Sequence, residues 1–168
     1  AMLDWALDQD KHPVYIAIPS GPVVHAEGPV RTNFDALNTY EVTREGSKVA
    51  VLALGDFYDL GEKTVEALSS TLGIEATLVK PYFASGVDQN LLDNLVKDHD
   101  AIVTIEDGII EGGWGQNIAS YLGTSAARVL NYGVKKAFYD RVNIADLMRE
   151  SHLDPELIAA DIKQVLGL

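Results

Sequence analysis

After residue 47, short apolar runs alternate four times with amphipathic helical stripes. Lys48–Leu54, Ile74–Val79, Ala101–Ile105 and Ala127–Tyr132 read as strands, and most of their positions are apolar. A strand with one wet face alternates apolar and polar residues, so a continuous apolar run implies cover on both faces. Between the runs, Leu60, Val65, Leu68 and Leu72 recur at helical spacing, with Gly73 placed to cap the helix end. Asp88 is placed to cap a helix carrying Leu91, Leu92, Leu95 and Val96. Gly115–Leu122 is a further helix, and two more close the chain at Ile144–Glu150 and Pro155–Leu166. The last has Asp154 as cap and Pro155 at its first position. Tyr40–Thr43 reads as an edge strand. Strands alternating with helices predict an α/β fold, a three-layer αβα sandwich around an open, mostly parallel sheet of about five strands.

The region before residue 40 has a different character. Met2, Leu3, Trp5, Ala6 and Leu7 form an apolar face with Asp4 and Asp8 opposite, which suits the end of a helix. Val14–Ile18 reads as a buried strand stopped by Pro19-Ser20-Gly21. One helix end and one strand suit the tail of a preceding domain, so residues 1–21 are assigned to such a tail. Residues 22–39, punctuated by Pro22, Gly28 and Pro29, read as a linker. Residues 40–168 form the α/β domain.

Charge narrows the possible partners. The chain of 168 residues carries a net charge of −12 and no cluster of Lys or Arg, which argues against binding a nucleic-acid backbone. No apolar run approaches the length of a membrane-spanning helix. There is no cysteine, which suits a reducing compartment, and a cytoplasmic location is expected.

The candidate site is the stretch Ile102–Gly108 followed by Glu111-Gly112-Gly113-Trp114-Gly115-Gln116. It reads as a strand ending in carboxylates, a turn, and a glycine-rich helix start, where open α/β sheets place contacts. The lysine of a phosphate-binding loop is missing, and the glycine spacing is not the dinucleotide one. The favoured readings are a tight turn packed against a neighbouring domain or subunit, and Glu106 bonding backbone N–H groups of that turn. Glu106, Asp107 and Glu111 could otherwise serve acid–base work or hold Mg2+. Trp114 and Phe138-Tyr139 suit core or interface contacts. Of the four histidines, His12 and His99 sit beside aspartates and read as solvated, while His25 has apolar company. No histidine pair has metal-ligand spacing, and no Gly-x-Ser-x-Gly motif occurs.

Taken in order, these segments resemble the C-terminal domain of the transketolase group of thiamine-diphosphate enzymes, and within it the 1-deoxy-D-xylulose-5-phosphate synthases. The resemblance rests on Val49–Gly55, Leu60–Leu72, Leu78–Asp88 with Lys80-Pro81, Val103–Glu106, Gly112-Gly113, Gly133–Asp140 and Ser151–Glu156. It implies a parent enzyme that forms carbon–carbon bonds with thiamine diphosphate and Mg2+, acts as a homodimer, and carries its catalytic apparatus elsewhere. The Gly-Asp-Gly metal motif of that group is not in this sequence. On this chain the resemblance therefore implies no bound cofactor and no catalytic or metal-ligating residue. It leaves Glu106, Gly112, Gly113, Trp114 and Asp88 as structural or interface candidates, with the rest of the parent chain as partner. Ala17 and Ser20 stand where the synthases have arginines, one of which helps hold substrate phosphate. Residues 13–21 resemble the end of the group's pyrimidine-binding domain. A similar domain occurs in the β subunit of 2-oxoacid dehydrogenases, and a stand-alone acidic interaction module is the alternative without chemistry.

Overall fold

The computed structural model describes residues 1–18 and 29–168. The chain divides into two compact units, Ala1–Leu37 and Asn38–Leu168. In the first, helix α1 (Met2–Asp8) carries Trp5, whose indole N–H donates to Asp35 Oδ1 at 2.8 Å. The Trp5 ring also meets Phe34 with centroids 5.9 Å apart. Residues 14–18 do not form the buried strand that their composition predicts. They are irregular, and Val14, Tyr15 and Ile18 are exposed. An apolar run becomes a buried strand only where a neighbouring strand takes up its backbone groups, and the described residues of this unit contain no strand. Pro19, Ser20 and His25 lie outside the described residues.

The second unit is the predicted α/β sandwich. Its elements are β1 (Tyr40–Arg44), β2 (Lys48–Leu54), α2 (Tyr58–Leu72), β3 (Thr77–Pro81), α3 (Gln89–Asp98) and β4 (His99–Ile109). They continue with α4 (Trp114–Tyr121), β5 (Arg128–Val134), α5 (Ile144–Glu150) and α6 (Pro155–Leu166). The five strands lie in the order β1-β3-β2-β4-β5. β1 is antiparallel to β3 and every other pairing is parallel.

The side-chain alternation of the strands sorts the core into two layers. Val49, Val51 and Ala53 of β2 join Ala101, Val103 and Ile105 of β4 on the face that packs against Val65 and Leu68 of α2 and Ile158 and Ile162 of α6. Ala50 and Leu52 join Ile102 on the opposite face, against Leu92 and Leu95 of α3 and Trp114 and Ile118 of α4. By the same period of two, Thr104 and Glu106 follow Ile102 onto the α4 face, and both are buried.

Two boundaries move for identifiable reasons. β3 begins at Thr77 rather than Ile74, because Ile74 belongs to the end of α2. Gly73, in the left-handed conformation, donates its N–H to Ser69 O as an αL cap, and Ile74 donates to Leu68 O. β4 runs on to Ile109, because its pairing with β5 resumes at Ile109 and Val134 after a register break.

Candidate functional site

β2 and β4 are neighbours, and the helices that follow them, α2 and α4, lie on opposite faces of the sheet. The carboxyl ends of two such strands flank the crevice where open α/β sheets bind ligands. In this chain a side chain fills the helix start there. Glu106 is only 5% exposed. Its Oε2 accepts the Trp114 N–H and its Oε1 the Gly115 N–H, each at 2.9 Å. The N-terminus of α4 carries partial positive charge and unpaired N–H groups, so it is an anion site, and the Glu106 carboxylate occupies it from within. This is the internal bonding that the sequence favoured for Glu106.

The glycines are what permit the approach. A Cβ on Gly113 would lie 2.4 Å from the Ile109 carbonyl oxygen and 2.6 Å from Glu106 Oε1. One on Gly115 would lie 2.3 Å from Thr104 Oγ1. Gly112, with φ +84°, turns the chain and donates its N–H to Gln116 Oε1. The surfaces that meet at Gly113 and Gly115 thus belong to the same chain.

Trp114 is buried in the core. Its indole N–H donates to the Tyr40 hydroxyl at 2.9 Å, and that hydroxyl donates to Gly86 O at 2.9 Å. Asp88 completes the connection: Oδ1 caps α3 by accepting the Leu91 N–H, and Oδ2 accepts the Tyr40 N–H. Burial pushes the Tyr40 hydroxyl pKa up to about 12. Glu106, Gly112, Gly113 and Trp114 therefore sit together at the start of α4, and Asp88 joins them through Tyr40. Tyr40 escaped the sequence reading as a site residue. Its partner Trp114 lies 74 positions away, and no local pattern links them.

The remaining candidates disperse. Asp107 points away from Glu106 and is exposed. Glu111 is exposed and accepts the Lys136 N–H at 2.8 Å. The three carboxylates do not converge, and among the described residues no group of three His, Asp or Glu side chains is placed to hold a metal. Phe138 and Tyr139 are exposed, well apart in environment from buried Trp114. His12 is exposed, as read. His99 is not solvated: it opens β4 buried, with Nδ1 donating to Leu95 O and Nε2 against Thr77 Oγ1, each at 2.8 Å. Its flanking residues Asp98 and Asp100 are both exposed. That period of two is the signal that could have placed His99 inside a strand. His152 pairs through Nδ1 with Asp161 Oδ2 at 2.7 Å, and Asp161 also accepts the Tyr132 hydroxyl, tying β5 to α6. Burial first, then the Asp161 charge, raises the Tyr132 hydroxyl pKa.

No helix among the described residues is long and apolar enough to cross a membrane. Comparison with known proteins agrees with this architecture. The chain is 28% identical over 167 residues to 1-deoxy-D-xylulose-5-phosphate synthase of Clostridium tetani, covering 98% of this chain and 26% of that protein. It is 33% identical over 159 residues to the synthase of Pseudoalteromonas translucida, covering 92% and 24%. It therefore spans about a quarter of the length of these relatives. Among solved structures, the inactive β4 tetramer of a split-gene transketolase is similar with a TM-score of 0.65 and 26% identity, over 78% of this chain and 43% of that one. A transketolase from Pichia stipitis shares the fold with a TM-score of 0.54, at 15% identity over 79% and 18%. The sequence model of the transketolase C-terminal domain matches residues 38–158, and the chain belongs to that family.

Proposed function

We propose that this chain is the C-terminal portion of a 1-deoxy-D-xylulose-5-phosphate synthase-like enzyme, and that it supplies packing and assembly surfaces rather than reacting groups. The observation that carries the reading is coverage: nearly all of this chain aligns with a quarter of the Clostridium tetani synthase. The parent enzyme would join a donor to an aldehyde acceptor, with thiamine diphosphate supplying the electron sink. The helix start at the glycine turn does not suit that cofactor's diphosphate. The helix start opened by the glycine turn already holds the Glu106 carboxylate, and a diphosphate brought there would meet a buried anion. No step of the reaction is assigned to this chain.

In this reading residues 1–21 are the tail of a pyrimidine-binding domain, residues 22–39 are a linker, and residues 40–168 are the C-terminal domain of a cytoplasmic homodimer. The similarity to a split-gene transketolase favours a second arrangement, in which the same portion belongs to a separately encoded subunit. Calorimetry of the isolated chain with thiamine diphosphate and Mg2+ tests the assignment. No binding is expected, and a low-micromolar Kd, about −8 kcal/mol, refutes it. Deleting residues 38–168 from the parent should abolish carbon–carbon bond formation, and full activity of the truncated enzyme would also count against the proposal. Restored activity on mixing this chain with a separately produced upstream portion would select the split arrangement.

A further inference from the structure

The two edges of the sheet are built differently. β1, at one edge, has five residues, carries Glu41 and Arg44, and breaks register between Val42 and Arg44. Short length, charge and a bulge are the features that keep an edge strand from pairing with another chain. β5, at the other edge, has seven residues, and its one charged side chain is Arg128 at the start. Val129–Val134 is uncharged and free of proline. In a parallel ladder, alternate residues of an edge strand turn their N–H and C=O groups away from the sheet. Among the described residues, no hydrogen bond from outside β4 reaches the backbone of residues 128–133. β5 therefore presents an open and undefended edge.

Beside that edge lies a cleft of about 400 Å3, lined by Leu130, Asn131 and Tyr132 of β5 and by Asp161, Gln164 and Val165 of α6. Consecutive strand side chains point to opposite faces, so a cleft lined by three in a row follows the strand's edge. Its polar groups have capacity to spare. Asp161 Oδ2 accepts the Tyr132 hydroxyl and pairs with His152 Nδ1, while Oδ1 has no partner among the described residues. Asn131 Oδ1 accepts the Thr104 hydroxyl, and its amide N–H groups are unpaired among the described residues, as is the side-chain amide of Gln164. Leu130 and Val165 add apolar wall. Charge selects the occupant: the lining holds one acid and no base, on a chain whose net charge is −12. Such a charge repels a second copy and attracts a basic segment. We propose that β5 takes a sixth strand from another protein, an extended segment whose backbone pairs with the open edge and whose basic side chain reaches Asp161. In strand addition of this kind, backbone bonds supply affinity and side-chain pockets supply selectivity.

The probe is a synthetic heptapeptide, matched to the length of β5, with Thr and Val alternating around a central Lys, blocked ends and a fluorescent label. Fluorescence anisotropy with the whole chain should show saturable binding with a Kd below about 1 mM. The same peptide with Glu in place of Lys should bind about tenfold more weakly. One with alternate backbone amides N-methylated should not bind, because it cannot pair with a strand edge. Hydrogen exchange should slow within residues 128–134 when the Lys peptide is added. Gln164→Lys places a base in the cleft at an exposed position. It should weaken the Lys peptide about tenfold and leave the urea midpoint at the wild-type value. Asp161→Asn should erase the preference for Lys over Glu. Asp161 also holds Tyr132 and His152, so Gln164→Lys carries the test if that variant fails to fold. Absence of saturable binding at millimolar peptide overturns the inference, and so does binding that tolerates N-methylation or ignores the peptide's charge. Protection of residues 128–134 that grows with chain concentration, without peptide, would give the edge to a second copy. Protection that appears on adding the upstream portion of the parent, with the peptide then excluded, would make the edge an internal contact of the parent. Either result overturns a separate protein as the occupant.

Discussion

Replacing Glu106 by Gln probes whether the carboxylate is what holds α4 on the sheet. Glutamine keeps the size and one acceptor oxygen. Its other terminal atom becomes an NH2 group, and either orientation of the amide points that donor at the Trp114 or Gly115 N–H. One charge-assisted hydrogen bond is lost, worth about 1.5–3 kcal/mol. The favourable interaction of a negative charge with the helix start goes too, worth about 0.3–1 kcal/mol and up to about 2 kcal/mol when partly buried. The site is too tight to rearrange, because the carboxylate lies where Gly113 and Gly115 leave no side-chain room. The expected loss is about 3 kcal/mol, a large share of the roughly 5–15 kcal/mol that holds a domain folded. Urea unfolding followed by circular dichroism should show the midpoint falling by about 1–3 M, for a slope of about 1–3 kcal/mol per M. Glu106→Ala should fall further, since it leaves two buried N–H groups without an acceptor. Asp107→Asn, next along the strand but exposed, should stay within about 0.5 kcal/mol of wild type. Should Glu106→Gln also unfold within about 0.5 kcal/mol of wild type, the carboxylate is not filling an anion site, and the argument against ligand binding at this turn fails with it.

Tyr40→Phe should cost about 1–3 kcal/mol, because it strands the buried Trp114 indole N–H and removes a donor to Gly86 O; an unchanged urea midpoint would show the bond to be dispensable. The raised Tyr40 pKa means that ionisation opposes the folded state. Its stability contribution is whole below pH 10 and is lost as pH rises from about 10 through about 12. Each pKa unit corresponds to about 1.4 kcal/mol, and partial exposure of the ring brings the expected alkaline loss to about 1–2 kcal/mol. Midpoints measured at pH 8 and above pH 11 should converge for wild type and Tyr40→Phe, and a constant gap would disprove the linkage. Gly113→Val should unfold the isolated chain rather than merely disturb its assembly, since any Cβ there meets Ile109 O and Glu106; a folded, near-native variant would contradict this. In the parent enzyme, Ala17→Arg should raise kcat/KM for a phosphorylated aldehyde over an unphosphorylated one, if the missing arginine is what would grip phosphate. No change in that ratio would place phosphate recognition elsewhere.

How far the sequence could be read depended on whether the physics was local. β2 matches its predicted bounds because a strand covered on both faces must be apolar throughout, and Val49–Ala53 leaves no ambiguity. α6 matches because Asp154 and Pro155 mark its start, and in the structure Gly167, in the left-handed conformation, closes it. Ile74 misled because its β-branched character fits a strand, while its N–H is claimed by the cap of α2. The polar end of β4 misled because a run that reaches Glu106 reads as finished, whereas the ladder with β5 resumes at Ile109. The site split along the same line. Asp88 and Glu106 were legible, since a cap and a carboxylate before a glycine turn act over a few residues. The Tyr40–Trp114 bond was not, because only the tertiary fold brings β1 and α4 together.

That division also bears on what the domain does. The fold places a strand end, a glycine turn and a helix start at the crevice where related architectures hold anions, and then fills the helix start with its own carboxylate. Glu106, Trp114, Tyr40 and Asp88 form a chain of internal bonds that fixes α4, β1 and α3 against one another. Groups so committed are unavailable to an external substrate. Ile109, at the end of β4, and Phe138, Tyr139, Val142 and Ile144, after β5, are by contrast exposed apolar or aromatic side chains.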